Sequence, residues 1–187
     1  MRRPLKTVLA TLLAVSFLAA ACGRASTSAP TTTAKATATT EAPQPAGANP
    51  SEIAKMVCAA KAQAEIQRVL GVTAHVSVPT WRDHRYTCRY EYPSGAFVLS
   101  VQELSSWTQT TSYYTSLGTS MGDTGKLGNL GQGAFTTSDG SVVVRKDWKV
   151  LLVDIAPLSK QFGNPPTSRA DVAYTVAALI LGCWAGD

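Results

Sequence analysis

Hydrophobic positions along the 187 residues fall into three regimes. Val8 to Ala21 is apolar except at Thr11 and Ser16, Gly23 to Ala48 is almost wholly Ala, Thr, Ser and Pro, and from Asn49 onward apolar residues recur with helical and strand periods. In the third regime, Asn49-Pro50-Ser51-Glu52 predicts a helix start: Asn49 as N-cap, Pro50 at the first helical position and Glu52 closing a capping box. The helix is expected to run to Leu70 and stop at Gly71, with Cys58, Ala62, Ile66 and Val69 on one face and Ile53, Val57, Ala60 and Ala64 on another. Val72 to Val78 alternates strictly, a strand with His75 facing away from the buried side. Tyr86, Cys88, Tyr90 and Tyr92 alternate, as do Phe97, Leu99 and Val101 beyond Pro93-Ser94-Gly95, so residues 84 to 104 read as a hairpin. Ser105 to Leu117 fits either a polar helix or a loop, and Gly118 to Gly133 reads as a glycine-rich connection. Three short strands follow, Ala134 to Thr137, Ser141 to Arg145 and Trp148 to Ala156, joined at Asp139-Gly140 and Lys146-Asp147. Ser168-Arg-Ala-Asp171 is a second capping box, opening a helix with Val172, Val176, Leu179, Ile180 and Cys183 on one face. The expected fold is α+β: a mostly antiparallel sheet of about six strands with an N-terminal and a C-terminal helix packed on it, in a single domain over residues 49–187.

The first regime supplies an address. Arg2, Arg3 and Lys6 precede the apolar run, and Leu18-Ala19-Ala20-Ala21 closes it with small residues, the layout of an export signal over residues 1–21. The run is shorter than the roughly 20 apolar residues of a spanning helix. Leu18 to Cys22 resembles a bacterial lipobox, in which the cysteine thiol receives a diacylglyceryl group before cleavage; Ala19 fills the usual leucine position. Cys22 is therefore the expected lipidation site, and the membrane the expected partner through that anchor. An ordinary secretory signal cut near Ala21 is the competing reading. Residues 22–48 then form a tether that cannot build a core, with O-linked sugar on its threonines as a further option.

Charge changes meaning once this segment is set aside. The chain carries 17 Lys and Arg against 12 Asp and Glu, a formal +5. Arg2, Arg3 and Lys6 account for three of those bases, so residues 22–187 carry +2. A nucleic-acid partner loses its main support.

Candidate chemistry is sparse. Gly118-Thr-Ser-Met-Gly122 fits the G-x-S-x-G pattern, but its flanks lack the strand and helix of a nucleophile elbow, and both histidines, His75 and His84, precede Ser120. Asp123-Thr-Gly125 matches the aspartic-protease triplet without the apolar strands that house it. Gly125-Lys126 is followed by Leu127 where a phosphate loop needs Ser or Thr, Gly131-Gln-Gly133 lacks the third glycine of a dinucleotide fingerprint, and no spacing suits a metal. No catalytic residue, metal site or cofactor is expected. If Cys22 is lipidated, Cys58, Cys88 and Cys183 remain for one disulfide in an exported chain; Cys58–Cys88 is preferred, with Cys58–Cys183 as the alternative. Trp81, Trp107, Tyr113 and Tyr114 fall in segments read as loops and form a candidate apolar binding surface.

These features together resemble a family of small actinobacterial cell-envelope lipoproteins that share a domain of unknown function. The resemblance lies in the lipobox ending at Cys22, the Ala/Thr/Pro tether, the cysteine-bearing helix closing on Leu70-Gly71, and the strand Tyr86-Thr-Cys-Arg-Tyr90. It continues through the Leu127-Gly-Asn-Leu-Gly-Gln-Gly-Ala-Phe135 turn, the strand Val150-Leu-Leu-Val-Asp154 and the closing helix. It implies a fold and an anchorage on the outer face of the cytoplasmic membrane, and no activity. The expected function is a binding or accessory module for an envelope ligand or protein. The alternative is an envelope hydrolase using Ser120 or Asp123.

Overall fold

The computed structural model describes residues 43–185. The export signal 1–21, the lipidation site Cys22 and most of the tether lie outside the described residues. Within them, no helix is long and apolar enough to cross a membrane.

The first helix departs from expectation in two ways. Its cap is Ser51 rather than Asn49: the Ser51 hydroxyl accepts from the Ala54 N–H at 3.2 Å and donates to the Glu103 carboxylate. It is also broken. α1 (Glu52–Lys55) passes into a 3₁₀ turn, Met56–Cys58, and the chain is extended at Ala59 before α2 (Ala60–Leu70) begins. At the break, two carbonyls that a continuous helix would pair internally are taken by side chains. The Tyr90 hydroxyl donates to Val57 O at 2.7 Å and the Gln63 amide to Cys58 O at 2.7 Å. α2 ends as its sequence predicts, on Gly71 with φ +65°.

Ten strands follow. β1 (His75–Val76) and β2 (Thr80–Arg82) both pair with the outer edge of β3 (Arg85–Tyr92), which forms the expected hairpin with β4 (Gly95–Glu103). Next come α3 (Trp107–Met121), β5 (Asp123–Leu127), β6 (Gly133–Thr137), β7 (Val142–Lys146) and β8 (Lys149–Asp154). These strands make one antiparallel eight-stranded sheet in the order β1-β3-β4-β8-β7-β6-β5, with β2 beside β3. The sheet exceeds the expected six strands by β2, from a segment read as loop, and β5, from the segment read as a glycine-rich connection. β9 (Gln161–Phe162) and β10 (Thr167–Ser168) form a small ribbon before α4 (Arg169–Ala185). The capping box forms there: Ser168 Oγ donates to Asp171 Oδ2 at 2.6 Å and accepts from Asp171 N at 3.2 Å.

Two layers of helix cover the sheet unequally. On one face Cys88, Tyr90, Phe97, Leu99, Val101, Val144 and Leu151 pack under α1, α2 and α4. On the other, Phe135, Val143, Val150 and Leu152 pack under the Tyr113, Tyr114, Leu117 and Met121 side of α3. β6, β7 and β8 are thus covered on both faces, and Val142-Val143-Val144 is an unbroken, fully buried run. α3 does not extend over β2 and β3. Cys58 and Cys88 are joined, with Cα atoms 5.6 Å apart, and fasten the helix break to β3. Cys183 lies half-buried in α4 outside this bridge.

Candidate functional site

The sheet face that α3 leaves uncovered is the most distinctive surface among the described residues. Cross-strand partners share a face, so the rungs Thr80↔Thr87 and Arg82↔Arg85 put two threonines and two arginines side by side. Behind them, Arg85 pairs with Gln102 and Thr87 with Ser100 of β4. The result is a polar shelf, open above, around a bay of about 380 Å³ lined by Thr80, Arg82, Asp83, Arg85 and Thr87. Arg85 is pre-oriented: its Nε donates to Gln102 Oε1 at 3.2 Å and its Nη2 to the Tyr113 hydroxyl at 2.9 Å. Farther along β3, Arg89 is engaged by Glu91 at 2.9 Å. The tip of the β2–β3 hairpin is Asp83-His84, both left-handed at φ +51° and +58°, a two-residue turn usually given to Asn-Gly. Gln102 Nε2 donates to Asp83 O at 2.8 Å and Glu103 N to His84 O at 2.9 Å, which hold it in place.

The same hairpin holds the N-terminal segment. Trp81 Nε1 donates to Ala48 O at 2.9 Å, a His84 ring nitrogen lies 3.0 Å from Gly47 O, and Ala46 N donates to Leu104 O at 3.2 Å. Residues 46–48, expected as the end of a free tether, are therefore fixed to the folded part beside the shelf.

Three of the four aromatic residues singled out in the sequence belong to α3, which corrects their assignment to loops. The alternative of a polar helix over residues 105–117 is the one realised, extended to Met121. Tyr113 forms the wall of the shelf through its bond to Arg85. Trp107 and Tyr114 flank Arg145, whose Cζ lies 4.3 Å and 5.3 Å from their ring centroids. The Arg145 fork donates to Thr111 Oγ1 and Gln132 O, both at 3.1 Å, riveting α3 onto β7. Burial holds the Tyr114 phenol above its usual range, with Arg145 pulling against it. Trp107 stays 48% exposed, so one part of its ring remains available for contact. Trp81 stands apart. It pairs with Tyr86, whose face is the one carrying Cys88 and Tyr90, so it faces away from Arg82 and Arg85.

The hydrolase alternative gains no geometry. Gly118 to Gly122 is the end of α3 and its cap rather than an elbow, and the exposed Ser120 hydroxyl donates back to Leu117 O at 3.3 Å. Asp123 opens β5 at a bulge, its Oδ1 accepting from Gly125 N at 2.9 Å. β5 is one edge of the sheet, whereas His75 and His84 belong to β1 and the β2–β3 turn at the other, so the topology separates every described imidazole from Ser120. Among the described residues no cluster of His, Cys, Asp and Glu has metal-binding geometry. A buried Glu103, with Lys149 Nζ 4.0 Å away and the Ser51 hydroxyl on its carboxylate, closes the end of the sheet. Its visible role is structural, capping α1 from β4.

The shelf residues Arg82, Arg85 and Thr87 were not singled out by sequence reasoning. The available signal was the second face of β3, where Arg85, Thr87, Arg89 and Glu91 alternate with the aromatic and cysteine side; what hid it was β2, too short and too polar to announce itself. Comparison against protein families, curated proteins and solved structures finds no match.

Proposed function

We propose that the chain is a membrane-anchored extracytoplasmic lipoprotein, held at Cys22, whose folded part is a binding or accessory module of the cell envelope with no catalysis of its own. The observation that carries the contact reading is the shelf: an open polar bay with a pre-oriented Arg85, walled by Tyr113 of α3, the helix that also carries the half-exposed Trp107. The order of basic start, apolar run, small residues, cysteine and tether supports the anchorage. The Cys58–Cys88 bridge is consistent with folding in an oxidising compartment. The chain's resemblance to actinobacterial envelope lipoproteins points the same way.

Two measurements test this. Mass spectrometry of the mature N-terminus, with detergent partitioning, is expected to find diacylglyceryl on Cys22; a water-soluble product beginning at an unmodified Cys22 overturns the anchorage. Co-sedimentation of the full chain with purified cell-wall sacculi and with envelope membranes is expected to show binding that Arg85→Ala and Trp107→Ala weaken. Binding to neither fraction, or binding indifferent to both substitutions, overturns the contact reading.

A further inference from the structure

We infer that Arg82 and Arg85 form a seat for a phosphate-type oxyanion carried by the ligand, an inference that rests on the shelf being the contact surface. Like charges directly opposite on neighbouring antiparallel strands repel, and a solvent-facing strand has no need of them there. The register sets the two arginines side by side on this face, and both line the bay. Arg85 is aimed by Gln102 and the Tyr113 hydroxyl, both neutral, so its positive charge is retained while its rotamer is fixed. Among the described residues, Arg82 has no acceptor, and the hydroxyls of Thr80 and Thr87 bond to nothing else. Those hydroxyls lie one rung along, roughly 7 Å by strand geometry, within reach of a group resting on the two guanidiniums. A tetrahedral oxyanion offers oxygens to two arginine forks and to hydroxyls at once, whereas a carboxylate offers only two oxygens. Asp83 also borders the bay, so its carboxylate opposes an anion and reduces the net charge of the seat to +1.

Calorimetric titration of the full chain in detergent at low ionic strength tests the seat, with inorganic phosphate as probe and sodium chloride at matched ionic strength as control. Saturable phosphate binding is expected, weakened about tenfold or more by Arg82→Ala and by Arg85→Lys, the scale of one lost charge-assisted pair. Asp83→Asn is expected to tighten it. Thermal melts keep the test meaningful, since Arg82→Ala removes a like-charge contact and should melt no lower than the parent. Two further probes separate the sources of the phosphate: glycerophosphoglycerol, the soluble headgroup of an anionic phospholipid, and a phosphorylated wall polysaccharide. Whichever competes with phosphate identifies its carrier. Absence of saturable phosphate binding, or binding unchanged in Arg82→Ala and Arg85→Lys, overturns the inference. If sacculi or membranes still bind in an Arg85-dependent way, only the oxyanion assignment falls; if they do not bind at all, the contact reading falls with it.

Discussion

Removing the Cys58–Cys88 bridge is the sharpest test of how this fold is held. The two residues lie 30 apart in sequence, and the bridge ties the 3₁₀ turn between α1 and α2 to the sheet strand β3. In the chain-entropy treatment, freeing a loop of this length restores about 3.5 kcal/mol of disorder to the unfolded chain. A domain of this size has about 5–15 kcal/mol in total, so the loss is a large share. Cys88 is fully buried, and removing its sulfur adds a small packing loss on the same side of the balance. The native hydrogen bonds at the break, Tyr90 to Val57 O and Gln63 to Cys58 O, do not depend on the bridge. The Cys58→Ala/Cys88→Ala double variant is therefore expected to fold to the same structure with about 3–4 kcal/mol less stability in equilibrium urea denaturation and a larger denaturant slope, because its unfolded state is less constrained. Cys183→Ala is the control and should leave the Cys58–Cys88 bridge intact in non-reducing peptide mapping. A loss below about 1 kcal/mol in the double variant, or peptide mapping under non-reducing conditions that pairs Cys183 with either partner, would refute the reasoning.

Four other outcomes are expected. Gly71→Ala should cost about 2 kcal/mol or more by thermal denaturation, because Gly71 sits at φ +65° and an added methyl would run into the Asn164 carbonyl. Stability should fall steeply above pH 10: burial holds the Tyr90 and Tyr92 phenols well above their ordinary value near 10, so their contribution is complete below about pH 10 and is lost as pH rises through the higher folded-state values. Tyr90→Phe should lower the unfolding free energy measured in urea at pH 7 by about 1–3 kcal/mol, since Val57 O loses its buried donor, and should flatten the alkaline limb. Ser120→Ala and Asp123→Ala should leave melting temperature and envelope binding within error of the parent, as both residues only bond to their own local backbone.

Legibility in the sequence followed the strength of the local signal. The β3–β4 hairpin, the Asp139-Gly140 turn, the Gly71 stop and the Ser168–Asp171 box were all readable, because each depends on neighbours within a few residues. The helix break at Ala59 was not. Nothing in Met56 to Ala60 forbids a continuous helix; its carbonyls are claimed by Tyr90, 33 residues away from Val57, and by Gln63. For the same reason the cap moved from Asn49 to Ser51, whose hydroxyl is fixed by Glu103, 52 residues on. α3 was ambiguous because its Thr, Ser and Gly content is poor for helices, and what stabilises it is tertiary: Phe135, Val143 and Val150 beneath it and the Arg145 fork between Trp107 and Tyr114. Of the expected contact surface, Trp107, Tyr113 and Tyr114 come together on one helix, whereas Trp81 turns out to fasten Ala48 on the opposite face.

The position of the shelf is a consequence of topology. α3 links β4, in the middle of the sheet, to β5 at its edge, and the strands between them are β8, β7 and β6. α3 packs on these three strands and leaves β2 and β3 unroofed. Those two strands must then present a wettable face, which accounts for Thr80, Thr87, Arg89 and Glu91. It does not account for Arg82 opposite Arg85. Threonine, serine or an Arg–Glu rung would solvate the face equally well without repulsion, and farther along β3 Arg89 has a carboxylate beside it, that of Glu91 on the same strand. The like-charged rung is the feature of this face that the fold alone leaves unexplained, and an anionic partner is what would make it favourable.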